Sequence, residues 1–130
     1  NTQPAMLAAG IALWRVWHQR GGDSPAIMAG HSLGEYSALV CAGALEYEDA
    51  VALVAERGRI MQEAVAPGEG AMAAILGLDD QHVIAVCEKS AQGEEVAAVN
   101  FNSPGQVVIA GTATAVRRAV TLAKTEGAKR

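Results

Sequence analysis

Apolar positions repeat at helical spacing from the start of the chain. Leu7, Ile11, Trp14 and His18 fall at i, i+4, i+7 and i+11, one face of a helix. Pro4 suits a first turn and Gly21-Gly22 a stop, so a helix is predicted over residues 4–19. Met6, Leu13 and Trp17 make a second apolar stripe, which predicts burial on two sides. The run Pro25-Ala26-Ile27-Met28-Ala29 predicts a strand over residues 25–30. Helical spacing returns over residues 33–42 (Leu33, Tyr36, Leu39, Val40) and stops near Gly43. A longer helix is predicted over residues 47–65, led by the acidic Glu46, Glu48 and Asp49, which favour an N-terminus. Its predicted inward stripe is Val51, Val54, Gly58, Met61 and Val65.

After Pro67-Gly68 the pattern changes. Residues 70–78 are apolar and strand-like, and Asp79-Asp80 offers a cap for a helix to about residue 91, with Val83, Val86 and Cys87 inward. Residues 95–101 and 106–110 read as strands around the turn Asn102-Ser103-Pro104-Gly105. Thr112 suits the cap of a last helix with Val116, Ala119, Val120 and Ala123 on one face. The second half therefore reads β-α-β-β-α, the ferredoxin-like order without its final strand. The first half holds one strand, which makes no sheet alone. The expected class is α/β, with residues 1–67 part of a larger layered unit and residues 68–130 an incomplete ferredoxin-like unit. Both halves are expected to be completed by strands from outside residues 1–130. A first residue other than Met leads to the same expectation of a processed or cropped chain.

Composition narrows the function. Half of the 130 residues are hydrophobic (51%), enough for a core, while only 4% are aromatic. A net charge of −4 without a basic run argues against a nucleic-acid partner. No apolar run reaches the length of a membrane span, and no signal peptide is visible. Cys41 and Cys87 lie in helical patterns and read as small buried thiols in a reducing compartment. His18, His31 and His82 are scattered without metal-ligand spacing, so neither a metal nor another cofactor is expected.

The chemistry concentrates at Gly30-His31-Ser32-Leu33-Gly34, a G-x-S-x-G sequence between the predicted strand and helix. That is the pattern of a nucleophile elbow, which lifts a serine hydroxyl to a helix N-terminus where developing negative charge is favoured. Both glycines are expected where a side chain would collide with backbone. The pattern alone also fits a glycine-rich turn with a solvent serine. Arg57 is the second informative residue. It lies beside the inward stripe of its helix, whereas Arg59 is about 200° around the axis and should face water. A cation beside an apolar face needs an anionic partner. An internal carboxylate meets that need, and so does a substrate carboxylate gripped by the planar guanidinium fork. Glu35 is read as supporting the helix start, and His31 as lining the cleft rather than acting as base. The base that the serine needs is expected outside this segment.

Four stretches carry a resemblance: Gly30-His31-Ser32-Leu33-Gly34-Glu35-Tyr36-Ser37-Ala38-Leu39, then Glu56-Arg57-Gly58 with Met61-Gln62, then Gly70-Ala71-Met72-Ala73-Ala74-Ile75, and Asn100-Phe101-Asn102-Ser103-Pro104-Gly105 running into Gln106-Val107-Val108-Ile109-Ala110-Gly111. In this order and spacing they resemble the malonyl-CoA:acyl-carrier-protein transacylases of the acyltransferase family, and look closer to the stand-alone bacterial enzymes than to a synthase module. The resemblance implies an α/β-hydrolase-like subdomain with a ferredoxin-like subdomain inserted. It implies Ser32 as nucleophile, the Leu33 N–H as an oxyanion donor, Arg57 as holder of the malonyl carboxylate and Met61 as a lining of the acyl pocket. It also implies that the Asn100–Gly105 turn faces the cleft mouth, with Asn102 a polar contact. Malonyl-CoA and acyl carrier protein are the implied partners, and the cytoplasm the implied location. The family's G-Q-G glutamine, a second oxyanion donor, is expected upstream of Asn1, and its catalytic histidine with an attendant glutamine downstream of Arg130. The segment alone is expected to be inactive. Two rivals remain: a serine hydrolase with the same elbow, which has no need of a carboxylate clamp, and an inactive fragment.

Overall fold

The computed structural model describes residues 2–130. The chain divides into two compact units, one ending at Ala64 and the other running Val65–Arg130.

The first unit is built from α1 (Thr2–Gln19), α2 (Leu33–Cys41) and α3 (Tyr47–Glu63). Leu7 and Ile11 of α1 meet Ala50 and Val54 of α3 in a small core, with Leu33, Tyr36 and Val40 of α2 packed against it. Only part of the predicted apolar pattern is covered. Trp14 is half-buried, with the His18 ring perpendicular to its own and the ring centres 4.2 Å apart. The second stripe of α1 is not buried: Met6, Leu13 and Trp17 are 61%, 72% and 55% exposed. The inward stripe of α3 is likewise buried only at its N-terminal end, and Met61 is exposed; the helix stops at Glu63, short of the predicted Val65. Periodicity assigns residues to a common face; it does not supply the surface that covers the face.

Residues 25–30 form no strand. A strand exists through its ladder, and among the described residues of this unit there is none to pair with. The segment runs past α2 with Ile27 85% exposed, and with Glu35, Ala38, Leu39 and Ala42 it lines an open groove of about 770 Å³.

The second unit contains β1 (Gly70–Leu76), α4 (Asp80–Ala91), β2 (Val96–Ser103), β3 (Gln106–Thr112) and α5 (Ala113–Thr125). The three strands form an antiparallel sheet in the order β1-β3-β2. Both helices cover one face, burying Ile75, Val107 and Ile109 against Val83, Val86, Cys87, Val116, Ala119 and Ala123. Both caps read from the sequence are formed: Asp79 accepts the His82 N–H at 2.8 Å, and Thr112 accepts that of Ala115 at 3.3 Å. Arg118 of α5 closes the other end of α4, donating Nε to the Ser90 carbonyl at 2.9 Å and Nη2 to that of Ala91 at 2.8 Å. These satisfy carbonyls that a helix end leaves without partners. At the outer edge of β1, Leu76 accepts from the Lys129 N–H and donates to the Arg130 carbonyl, each at 2.8 Å.

The hairpin turn is tighter than its sequence implied. β2 continues through Asn102 and Ser103, and the turn is Pro104-Gly105 alone. Proline supplies the fixed φ of a first central position and Gly105, at φ 74°, the positive φ that a type II turn requires at the second. Two register shifts in β2, around Val99 and Asn102, bring Ser103 opposite Gln106.

Candidate active site

The Ser32 turn is a strained one. Ser32 has φ 55° and ψ −117°, a region that residues with a Cβ occupy only when their surroundings enforce it. Gly30 is part of that enforcement, because a Cβ on it would lie 2.0 Å from the carbonyl carbon and oxygen of Gly34. Gly34 does not share the constraint. A Cβ there meets nothing within 4 Å, so the collision expected at both glycines exists only at the first.

The turn leaves the two groups that chemistry needs free. Serine at a helix start usually caps it by accepting a backbone N–H, but the Ser32 side chain makes no such bond. Gly34 donates its N–H to the His31 carbonyl at 2.9 Å, and Glu35 donates to that of Ser32 at 3.2 Å. Among the described residues, the Leu33 N–H is left without an acceptor at the first position of α2. It stands at the positive end of the helix dipole, beside the exposed serine.

Arg57 reaches this turn from α3. Its Nη2 donates to Ser32 Oγ at 2.8 Å and its Nη1 to Gln3 Oε1 at 2.5 Å, and its guanidinium lies 5.9 Å from the centre of the Tyr36 ring. All three neighbours are neutral. Among the described residues no carboxylate pairs with Arg57, which leaves the internal-carboxylate alternative without support. Arg59 provides the contrast: it faces solvent and is bonded to Glu56 and Glu63 of its own helix. The hydrogen bonds that Arg59 donates hold the Glu56 carboxyl below its ordinary pKa, and those it makes to Glu56 and then Glu63 hold the guanidinium proton more tightly.

The other residues named from the sequence are placed as follows. Met61 lies one turn beyond Arg57, exposed, with its sulfur 3.5 Å from Gln3 Nε2. His31 is exposed beside Ser32, and its backbone carbonyl serves the turn. Glu35 is in the first turn of α2. Asn102 is exposed near the end of β2, in the second unit. His82 is engaged within the second unit, 2.8 Å from Glu126. Gln3 was not singled out from the sequence, since a glutamine in a first helical turn carries no chemical signature. Among the described residues, no group of three or more His, Cys, Asp and Glu side chains is arranged to hold a metal, and no helix is long and apolar enough to cross a membrane. Burial pushes the thiols of Cys41 and Cys87 above their ordinary pKa, with Glu88 adding to the effect at Cys87.

The arrangement is an accessible hydroxyl, a free backbone donor beside it and an unneutralised guanidinium bonded to the hydroxyl oxygen. It suits attack on an acyl group that itself carries an anion. Comparison with known proteins points the same way. The model of the family described as "Acyl transferase domain" matches residues 1–130. The malonyl CoA-acyl carrier protein transacylase of Salmonella typhimurium is 64% identical over 130 residues, which is all of this chain and 42% of that protein. The structure of the malonyl CoA-acyl carrier protein transacylase from Coxiella burnetii superposes with a TM-score of 0.96 at 56% identity, covering 99% of this chain and 41% of that one. A malonyl-transacylase in complex with its type II PKS acyl-carrier protein superposes with a TM-score of 0.94 at 59% identity, covering 99% of this chain and 42% of that one. The chain thus spans about two fifths of the length of these relatives. With its whole length matched by the family, the chain belongs to the acyl transferase domain family.

Proposed function

We propose that this chain carries the nucleophile and carboxylate clamp of an enzyme that moves a malonyl group from coenzyme A to the phosphopantetheine thiol of acyl carrier protein. The observation that carries the reading is Arg57, a guanidinium with only neutral partners, hydrogen-bonded to the hydroxyl of a strained Ser32. The names of the relatives supply the acyl donor and acceptor, and one of them was solved with its carrier protein.

In this reading Ser32 Oγ attacks the thioester carbonyl of malonyl-CoA as its proton passes to a base. The carbonyl oxygen becomes an oxyanion held by the Leu33 N–H, and a donor of this kind is worth about 10²–10³ in rate. The C–S bond breaks, and coenzyme A leaves as the thiol with the proton from the base. Malonate is then an ester of Ser32, its free carboxylate on Arg57. The carrier thiol attacks that ester, its proton goes to the base and then to Ser32 Oγ, and malonyl-carrier protein departs. The base and a second oxyanion donor are assigned to the part of the relatives' length that this chain does not span.

Met61, one turn from Arg57, is assigned to the acyl pocket, His31 to the cleft beside the nucleophile and Asn102 to a polar contact at its mouth. The first unit is read as part of the α/β-hydrolase-like subdomain. The second is read as the ferredoxin-like subdomain, its β-α-β-β-α order and β1-β3-β2 sheet supporting the assignment. Cytoplasmic location belongs to the same reading, which the free thiols of Cys41 and Cys87 support.

The test is to expose the full-length protein to malonyl-CoA with a labelled acyl group, then digest and sequence it. The expected result is label on Ser32, released onto carrier protein when that thiol is added. Label on another residue, or release only as free malonic acid with carrier protein present, would overturn the assignment.

A further inference from the structure

We infer that Gln3 is the residue that sets this site's preference for an anionic acyl group, by aiming Arg57 at Ser32 without neutralising it. This rests on the reading of Arg57 as the carboxylate holder. Gln3 is in the first turn of α1 and Arg57 is on α3, 54 residues away, yet Nη1 of Arg57 donates to Gln3 Oε1 at 2.5 Å. Arginine has no acceptor, so only the carbonyl end of the amide fits there. The amide nitrogen is thereby turned toward Met61 Sδ at 3.5 Å. The Gln3 side chain lies over Gly58, where a Cβ would stand in ordinary contact with it at 3.6–3.9 Å.

Two bonds now define the guanidinium plane: Nη1 to Gln3 and Nη2 to Ser32. The choice of acceptor matters. A carboxylate at position 3 would hold the fork equally well, and would also pair its charge. The site would then meet a malonyl carboxylate with a cation already satisfied, and a neutral acyl group without the penalty of leaving that cation unpaired. An amide orients and leaves the charge to the substrate. Gln3 is a positioning residue in this scheme, acting through Arg57.

The experiment compares malonyl-CoA and acetyl-CoA as acyl donors to Ser32 in the full-length protein, for wild type and the variants Gln3→Glu, Gln3→Leu and Arg57→Ala. For Gln3→Glu, kcat/KM with malonyl-CoA is expected to fall about tenfold or more, chiefly through KM, because the acyl carboxylate would meet an already paired cation with a like charge beside it. Acetyl transfer is expected to hold or rise. Gln3→Leu, which cannot aim the fork, is expected to raise the malonyl KM with acetyl transfer held. Equal loss for both donors in Gln3→Glu and Gln3→Leu, or an unchanged malonyl-to-acetyl ratio in both, would overturn the inference. Arg57→Ala separates the two claims. A collapsed ratio there with unchanged ratios in the Gln3 variants defeats the role of Gln3 alone, whereas an unchanged ratio in Arg57→Ala defeats the carboxylate clamp itself.

Discussion

Arg57 Nη2 and Ser32 Oγ are 2.8 Å apart, although the two residues are separated by 25 positions, one within α3 and the other in the turn that precedes α2. In the proposed reaction, acylation of the serine would break that bond and free the N–H for an anion carried by the acyl group. In the proposed function the nitrogen that bonds the free serine is the one that receives the malonyl carboxylate.

Replacing Arg57 with alanine should therefore act on the acyl group rather than on chemistry in general. Malonyl transfer is expected to lose about 2 kcal/mol, roughly thirtyfold in kcat/KM, since the residue is only half-buried. Acetyl transfer should be spared or improved. Arg57→Lys should not restore malonyl transfer, because an ammonium lacks the planar fork. Kinetics with both acyl donors check this, and equal losses would refute the carboxylate role.

The backbone of Ser32 makes a separate prediction. Its φ of 55° with ψ of −117° suits glycine better than any residue with a Cβ. Ser32→Ala and Ser32→Gly should both abolish acyl-enzyme formation. Yet Ser32→Gly should be the more stable of the two by about 1 kcal/mol, the relieved strain exceeding the added freedom of the unfolded chain. Urea unfolding of the two variants decides it.

The glycines around the serine should differ in the same kind of measurement. Gly30→Ala places a methyl group 2.0 Å from Gly34 backbone, which nothing short of moving the turn relieves. A loss of about 3 kcal/mol or more is expected. In the 130-residue chain Gly34→Ala meets no atom, and alanine is the better helix former, so its stability should be equal or slightly higher.

How far the sequence could be read follows from the range of each interaction. Asp79, Thr112 and the Pro104-Gly105 turn act within a few residues, and their effects were legible, apart from the two residues by which β2 outruns its expected end. Gly30 and Ser32 were legible as a motif, and Arg57 as a cation beside an apolar face. Gln3 was not, because its meaning comes from a partner 54 positions away and its residue type is ordinary in a first turn. The strand over residues 25–30 and the burial of Met6, Leu13 and Met61 were misjudged for one reason. Each needs a second surface, and an alternation or stripe in the chain says nothing of whether that surface is present.

The second unit should carry an acid-sensitive link between α4 and α5. Arg118 Nη1 donates to Glu94 at 2.6 Å, while its other nitrogens close the end of α4. The hydrogen bond from Arg118, and then that from Thr112, hold the Glu94 carboxyl below its ordinary value of 4.5. A carboxyl with a lowered folded-state pKa stabilises the fold fully above its unfolded pKa, and that contribution fades as pH falls through the lowered value. Wild type should thus hold its urea midpoint from neutral pH down to about 4.5 as far as Glu94 is concerned, then lose stability on further acidification. Glu94→Gln should be the less stable protein at pH 7, and the gap should close in the acid range. Glu126, lowered chiefly by its hydrogen bond from Lys89 with His82 adding to it, has the same sign and survives in that variant, so some acid sensitivity should remain. Parallel curves for wild type and Glu94→Gln across the acid range would show that the Arg118 contact contributes packing and carbonyl capping, but no charge-dependent stability.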